Sequence, residues 1–489
     1  MQRLVVYWAR RDFRLEDNRA LLAALDESRT AGIPLCPVFV AEEYMLRASP
    51  ESQFGLPSRV FLSRAVQLFA QRFPFFLLAY GVAPDVLGSL AHEHGATIHV
   101  NEDVYPDFYA QVERLRAQGI TVKVYADQLT VPKDTLTKSG TRYSVFTPFK
   151  NAIWQRFVTT APAPVADVAD AAYPGPELAT ALIAKHSRDR NDPVALAASF
   201  SRARLLKVGE HVLDLATLTP EPDLSGWYAS ETDALARFDT FVGSGGMDRY
   251  AHGRDALGTE EGTSRMSLAL TWGLVSARML VARLARHYDT SFELAATATA
   301  RESAAAYIAE LAWREFYTYL FYHDPSLMQR EFQEKYRATL AWEPDAEALR
   351  RFIAWVRGET GYELVDAAMH QIARTGYMHN RARMVVSSVL TKNLGVDWRW
   401  GQEYFRAALV DLDEGSNNGG WQWGASVGAD PKPIRIFNPE RQAMTFDPER
   451  RYRDRWLPES YHAVPIVPQP QARAAALARY GLAKPRRAR

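Results

Sequence analysis

The densest set of polar and aromatic side chains lies in one stretch of the C-terminal third. This stretch contains, in order, Asp411, Asp413, Asn417, Trp421 and Trp423. Neither a helical nor a strand periodicity accounts for the spacing of these residues, so it indicates a site rather than a regular element. A calcium loop is the alternative use of the two acids. The stretch lacks the glycine and the terminal glutamate that an EF-hand loop requires.

A second candidate surface lies on the predicted helix Arg301–Tyr322. Glu310, Trp313, Arg314 and Tyr317 recur at i, i+3, i+4 and i+7, so they share one face. A carboxylate beside Trp, Arg and Tyr makes a poor core and suits the wall of a polar, aromatic cleft. An amphipathic surface helix with a Glu–Arg pair is the alternative.

Two further segments predict contacts with phosphate groups. Gly262–Ser267 opens a predicted helix with hydroxyl residues and an arginine, and free N–H groups at a helix start can hold a phosphate. A capped surface helix is the alternative. Met378–Met384 opens another helix, in which Asn380 and Met384 are one turn apart and two arginines suit phosphate. Basic helix faces are commonly only solvated.

In this order along the chain, the segments resemble those of the photolyase/cryptochrome family, specifically the class I cyclobutane pyrimidine dimer photolyases. Further matching segments are Trp8–Asn18, Gly361–Met369, Asp397–Gly401, Arg435–Pro439 and Arg455–Pro458. The resemblance covers nearly the whole chain. It implies light-driven DNA repair, in which reduced FAD (FADH⁻) donates an electron to a flipped-out dimer and the dimer splits into two pyrimidines.

The resemblance also implies, position by position, which residues hold FAD. Tyr250 with Thr263, Ser264, Arg265, Met266 and Ser267 would hold its phosphates, and Tyr307 and Asn380 would line its pocket. Arg383 would pair with Asp411 beside the ring system, and Asp413 would contact the flavin and ribose side. Asn417 would face flavin N5, and an amide there favours an enzyme, since plant cryptochromes resembling the family carry Asp and animal ones often Cys. The loop before Thr263 is one residue longer than usual.

The same resemblance implies which residues contact the DNA substrate. Glu310 would hydrogen-bond the bases, Trp313 and Trp423 would flank the dimer, and Met384 would pack against it. The remaining DNA contacts would come from Arg254, Arg314, Tyr317, Asn380, Arg381 and Arg435. Enzymes for six-four photoproducts carry His where this chain has Asn380 and Met384, so the cyclobutane type is expected. Trp421, Trp398 and Trp342 match an electron chain that runs from the flavin to the surface.

The sequence leaves open whether the N-terminal domain binds an antenna chromophore and which one. Asn101–Pro106 resembles the antenna motif, but the Arg-Asp that normally follows is missing. Asp107 and Phe108 replace the pair that contacts folate. A deazaflavin stands slightly ahead of folate or FMN, and an empty pocket is equally consistent. The other functions that stay open are a blue-light photoreceptor of the cryptochrome type and a single-strand-selective DASH-type photolyase.

The elements that must position these residues divide the chain in three. Four apolar runs alternate with helix-length segments, which predicts an α/β, doubly wound parallel-sheet domain over residues 1–131. The predicted strands are Leu4–Trp8, Pro34–Val40, Ala96–Val100 and Ile120–Tyr125. Residues 132–226 are rich in proline and predict a linker with short helices. Residues 227–489 predict an all-α FAD- and DNA-binding domain, with helices at Ser276–His287, Asp345–Arg357, Tyr362–Thr375 and Asn380–Leu390.

Composition and charge limit the partners, the metal sites and the location that the protein can have. The chain has 489 residues, 47% of them hydrophobic, and a formal net charge of +1, so DNA must meet a local basic patch. One cysteine, Cys36, excludes a disulfide framework, a cysteine zinc site and an iron–sulfur cluster within one chain; no metal is expected. The N-terminal apolar run is too short for a signal peptide or membrane span. We therefore expect a cytoplasmic monomer with damaged DNA as partner and no membrane.

Overall fold

The computed structural model describes residues 2–49, 54–187, 191–288, 297–429, 434–462 and 464–482, with only the backbone of residues 106 and 194. The N-terminal part is a five-stranded parallel sheet in the order β3-β2-β1-β4-β5. Its strands are β1 Val5–Ala9, β2 Leu35–Ala41, β3 Leu77–Tyr80, β4 Thr97–Asn101 and β5 Val122–Tyr125. The helices between them are α1 Arg19–Ala31, α2 Glu43–Leu46, α3 Leu56–Ala70, α4 Ala83–His94 and α5 Pro106–Ala117. The predicted doubly wound α/β fold is confirmed.

The sequence identified four of these strands and missed β3. This strand is only four residues long and has no β-branched residue, so its pattern cannot be distinguished from the apolar end of a helix. Its backbone pairs with β2 from Val38 to Ala41, and burial on both faces fixes it there.

The middle of the chain is more ordered than a simple connection. It contains α6 Phe146–Thr159, α7 Pro176–His186, α8 Pro193–Ser199 and the strands β6 Leu205–Val208 and β7 His211–Asp214. The two strands form an antiparallel hairpin, which the expectation of short helices alone did not include. Gly209 turns the hairpin with a φ of +55°, and a Cβ there would lie 3.2 Å from Trp400. Four-residue strands around such a turn leave little periodicity to detect.

The C-terminal part is helical. Its helices are α9 Glu231–Gly243, α10 Tyr250–Gly253, α11 Ser267–Thr271, α12 Ala277–His287, α13 Ala298–His323, α14 Asp345–Arg357, α15 Glu363–Thr375, α16 Asn380–Ser388, α17 Trp398–Ala408, α18 Glu414–Gly424, α19 Pro439–Phe446, α20 Arg451–Trp456 and α21 Gln469–Arg479. The predicted α16 continues beyond Ser388 as a π-helical turn, Val389–Asn393. Within the described ranges, no helix is long and apolar enough to cross a membrane.

The segment around Asn417 was predicted to be irregular, but the structure shows that it forms helix α18. The Asp413 side chain accepts from the Ser416 N–H at 2.8 Å and starts the helix. Glycines are poor helix formers, yet here they allow α18 to approach α13 closely. A Cβ on Gly419 would lie 2.1 Å from the Tyr317 ring, and one on Gly415 would lie 3.0 Å from the backbone of Thr318. Tertiary packing therefore overrides the local propensity.

The sheet and the helical part share one hydrophobic core. Residues of β1, β2 and α3 belong to the same buried cluster as residues of α12 and α13. A fully buried ion-pair network crosses the same contact. Arg278 of α12 lies 2.7 Å from the Asp17 carboxylate and 3.0 Å from the Asp127 carboxylate. The two parts are therefore held in a fixed relation.

Candidate functional site

Arg383 and Asp411 form an ion pair in the helical part. Arg383 Nη2 donates to both oxygens of Asp411, at 2.9 and 2.8 Å. The Asp411 carboxylate is fully buried. Arg383 Nε donates to the Met378 carbonyl at 2.7 Å, which fixes the guanidinium. This pairing brings together the two residues that the resemblance paired, and a neutralised pair can orient a polar ring without an uncompensated charge.

Asn417 presents a buried acceptor that the protein does not use. Its Nδ2 donates to the Gln402 carbonyl at 3.2 Å, which assigns the other atom as Oδ1. Oδ1 is buried and has no hydrogen-bond donor in the part of the chain that the structure describes. Leaving a buried acceptor unpaired is costly. The Asn417 site therefore fits a bound group with an N–H, such as the N5–H of a reduced flavin.

The segment from Thr263 to Ser267 is an irregular loop. The prediction that Gly262 opens a helix is wrong, because Arg265 has a φ of +56° and α11 begins only at Ser267. The loop nevertheless gathers the expected groups. Ser264 Oγ lies 3.0 Å from the Tyr307 hydroxyl, and the Tyr307 ring packs edge-on against Tyr250 at 5.1 Å. Burial raises the pKa of both phenols, so they remain neutral donors.

One face of α13 forms an aromatic and acidic wall, as its spacing predicted. Glu310 pairs with Arg254, and each side chain is about one-third exposed. Trp313 packs 5.4 Å from Tyr317. On its other side Trp313 stacks on Phe146, with ring centroids 3.5 Å apart and an interplanar angle of 10°. Phe146 was missed from sequence, since it lies far away at the start of α6.

Besides Arg254, two more of the predicted DNA-contacting arginines are held by carboxylates. Arg381 pairs with Asp255, with Nε 3.2 Å from Oδ1, and its guanidinium lies 4.2 Å above the Phe446 ring. Arg314 is directed toward Asp413 at 3.5 Å and is mostly buried. Both guanidinium groups are mostly buried, with 17% of the Arg381 side chain and 15% of the Arg314 side chain exposed.

Asn380 and Met384 begin α16, one turn apart. His379 caps this helix, because its Nδ1 accepts from the Arg381 N–H at 3.1 Å. Burial lowers the pKa of His379 to about 4, so the imidazole is neutral at physiological pH and can accept. Asn380 is exposed and Met384 partly so. Both side chains are thus accessible to a ligand.

Trp423 and Arg435 are the two remaining residues predicted to contact the DNA. The Trp423 ring packs at 6.1 Å against Phe437, and the Arg435 side chain is exposed. The Arg435 carbonyl accepts from Lys392 Nζ at 2.5 Å. Lys392 belongs to the π-helical turn, so an irregular turn of α16 supports the loop that carries a predicted DNA contact.

The three tryptophans of the predicted electron chain differ in exposure. Trp421 and Trp398 are buried, whereas Trp342 is partly exposed. Trp421 also packs edge-on against Trp355 at 5.9 Å, a fully buried neighbour that sequence reasoning missed. A Cβ on Gly401 would lie 2.1 Å from the Trp421 ring. Gly401 is one turn along α17 from Trp398, so Trp398 and Trp421 lie on neighbouring turns of contacting helices.

A second cleft lies at the carboxyl edge of the sheet. It is lined by residues of β1, of β2 and of the segment after β4, and by residues of the helical part. Among the lining residues are Trp8, Arg10, Tyr44, Asp103 and Trp272. The strand order reverses between β1 and β4, and α/β proteins commonly bind ligands at such a reversal. Arg10 lies over the rings of Trp8 and Phe108.

Sheet, helical core and polar cleft together define a flavoprotein of two joined parts, and comparisons identify its kind. Residues 5–166 match the family "DNA photolyase", and residues 307–481 match "FAD binding domain of DNA photolyase". The deoxyribodipyrimidine photo-lyases of Synechococcus sp. and Vibrio cholerae are each 36% identical. Their alignments cover 94% and 92% of this chain and 89% of each relative. The crystal structure of a bacterial class III photolyase from Agrobacterium tumefaciens matches with a TM-score of 0.77 and 30% identity, covering 98% of both chains.

The chain belongs to the DNA photolyase family, within the photolyase/cryptochrome group. It is a DNA-repair lyase that binds FAD. The predictions of family, fold, enzyme class and principal cofactor are thereby confirmed. The individual site residues and the division at 131 and 226 stay predictions.

Proposed function

We propose that this enzyme splits cyclobutane pyrimidine dimers in DNA under light. The observation that supports this most directly is the buried Oδ1 of Asn417, which has no hydrogen-bond donor among the described residues. Asn417 follows Asp411, the partner of Arg383, by about one and a half helical turns of sequence. Bound reduced FAD supplies the light-excited electron. Asn417 accepts a hydrogen bond from the flavin N–H, Arg383 and Asp411 orient the ring, and the Thr263–Ser267 loop holds the phosphates.

The substrate side of the proposal is the wall formed by α13 and the start of α16. Glu310 acts on the pyrimidine bases as a proton or hydrogen-bond donor, and in that role it stabilises the negative charge that develops on them. In the free protein its partner is Arg254, which is then released toward a phosphate. Trp313 and Trp423 provide apolar walls for the flipped dimer. Asn380 and Met384 favour the cyclobutane type over the six-four type.

Three further roles belong to the same proposal. Arg254, Arg381 and Arg435 hold DNA phosphates, and Tyr317 and Arg314 support that surface from behind. Trp421, Trp398 and Trp342 carry electrons to oxidised flavin. The cleft at the sheet edge takes an aromatic antenna, with a deazaflavin ahead of FMN or folate, because aromatic rings and both signs of charge line it.

The test is illumination of the chemically reduced protein with duplex and single-stranded oligonucleotides that contain a thymine dimer. Loss of the dimer in duplex DNA under light, with none lost in the dark, supports the proposal. A DASH-type enzyme would repair the single strand alone. A photoreceptor would leave both substrates unchanged, which would overturn the proposal.

A further inference from the structure

The three tryptophans of the proposed electron chain differ at their indole nitrogens. Trp421 Nε1 is buried and has no acceptor within the described ranges. Trp342 is partly exposed, and the Arg479 guanidinium lies 5.8 Å from its ring. Trp398 Nε1 donates to Glu331 Oε1 at 3.3 Å. The middle tryptophan therefore has a carboxylate partner that the inner one lacks.

The Glu331 carboxylate is buried and fixed. Only 4% of its side chain is exposed, and the oxygen that meets Trp398 also accepts from Arg399 Nη2 at 2.9 Å. The Arg399 guanidinium lies 4.7 Å above the Trp398 ring, and its Nη1 binds Asp397. The Glu331 carbonyl accepts from Arg337 Nε at 3.0 Å. The indole thus has a cation on its face and an anion at its N–H edge.

These charges act on a tryptophan that has lost an electron. The oxidised ring is positively charged and its N–H becomes a stronger donor, so a carboxylate at hydrogen-bond distance stabilises it. The Arg399 cation alone would oppose the charge, because like charges a few ångströms apart repel each other appreciably within a protein. Trp421 has no anion at its nitrogen within the described ranges. A positive charge is therefore more stable on Trp398 than on Trp421.

We propose that Glu331 is a positioning residue for photoreduction, which holds the transient positive charge on Trp398 and so hinders its return to Trp421. This inference rests on the proposed electron chain. One electron passes from Trp398 to Trp421, which has given one to light-excited oxidised FAD. The proton stays on Trp398 Nε1 in its hydrogen bond to Glu331. A soluble thiol then supplies one electron through Trp342, loses its proton to water and becomes a thiyl radical.

The first experiment uses Glu331→Gln in the FAD-loaded protein. Glutamine keeps an acceptor for the indole and removes the charge, so we expect photoreduction by thiol to slow about tenfold or more. Repair by protein already reduced with dithionite should be unchanged. Glu334→Gln is the matched control, because Glu334 lies in the same segment, is exposed and pairs with Arg337. Equal photoreduction rates in the two variants would overturn the proposal.

A charge-balanced variant and a dark measurement separate electrostatics from structural damage. Glu331→Gln combined with Arg399→Gln removes both charges, so photoreduction should recover most of its rate if charge is the cause. In the dark, the NMR resonance of the Trp398 indole N–H should shift upfield in Glu331→Gln and stay in place in Glu334→Gln. A slow double variant or an unmoved resonance would each contradict the inference.

A third variant distinguishes failure of this inference from failure of the chain. Trp398→Phe should nearly abolish thiol photoreduction if the tryptophan chain operates. Normal photoreduction in Trp398→Phe would refute the chain itself. A slow Trp398→Phe together with a normal Glu331→Gln would refute only the role of Glu331.

Discussion

Glu310 is the residue that tests the proposed substrate side most directly. It lies on the aromatic wall of α13, where its carboxylate contacts Arg254. Glu310→Ala should reduce the quantum yield of repair by about half or more, because the developing anion no longer receives a hydrogen bond. The FAD content should not change. The measurement is dimer loss per absorbed photon, with protein-bound flavin determined on the same sample.

The control for this prediction is Glu302→Ala. Glu302 is an exposed carboxylate on the same helix and lies near the exposed His252, so its removal should leave repair intact. Full yield in Glu310→Ala would show that Glu310 does not act on the dimer. A fall in flavin content in that variant would place Glu310 at the cofactor.

Lys392 gives a prediction about pH. Burial, followed by the charge of Arg435, lowers the pKa of Lys392 to about 7 in the folded protein. The unfolded chain keeps this proton up to the ordinary lysine range, so unfolding takes up a proton above pH 7. Raising the pH from 7 toward 10 therefore stabilises the folded state through this residue, by up to about 1.4 kcal/mol per pH unit.

The check is the free energy of unfolding by denaturant at pH 7, 8 and 9. Lys392→Met should lack this contribution and so show a less positive slope than the unmodified protein. Lys207→Met, at an exposed position of β6, should keep the slope. Equal slopes for the two variants would show that Lys392 is not the group responsible.

Residue partners were the least predictable part of the site. The pairing of Arg383 with Asp411 followed from the family resemblance, and the shared face of Glu310 and Trp313 followed from helical spacing. Phe146, Asp255 and Glu331 did not, because each meets its partner across a long separation in sequence. Local pattern carries no information about such contacts, and here only the packing of the helices brings them together.

At the scale of elements, α13 and α18 approach each other so closely that one position of α18 requires glycine. A Cβ on Gly419 would lie 2.1 Å from the Tyr317 ring, whereas one on Gly420 has nothing within 4 Å. Gly419→Ala should therefore destabilise the protein by about 1–3 kcal/mol. Gly420→Ala should stabilise it by about 0.5–1 kcal/mol, since alanine is the better helix former. Denaturant unfolding of both variants measures the difference, and a stabilising Gly419→Ala would contradict the packing argument.

Elements were predictable where a cap or a stop marks the sequence. α14 spans Asp345–Arg357 as predicted, and Gly358 ends it with a φ of +70°. α12 follows Ser276, which caps it by accepting from the Met279 N–H. β3 and the β6–β7 hairpin were missed because their strands are only four residues long. α18 was missed because its glycines disfavour a helix, which forms here through tertiary contacts.

At the scale of the whole molecule, a net charge of +1 leaves DNA binding to a few local arginines. Arg381→Ala and Arg435→Ala should each weaken binding to damaged and undamaged DNA alike, since phosphate contacts carry no sequence information. The slope of log K against log salt should fall by about one unit for each arginine removed from a phosphate. Titrations at several salt concentrations measure this. Arg29→Ala, on α1, is the control, and weakening confined to damaged DNA would place the arginine in the dimer pocket.

The buried network of Asp17, Asp127 and Arg278 has a consequence for building chimeras of this family. A hybrid that joins the helical part to the sheet of another relative keeps Arg278 and receives whatever that relative carries at the positions of Asp17 and Asp127. If that relative supplies neither carboxylate, the hybrid encloses the Arg278 guanidinium without a counter-charge from these positions, which costs roughly 3–5 kcal/mol. Exchange of the sheet between relatives therefore requires a donor sheet that carries carboxylates at both positions.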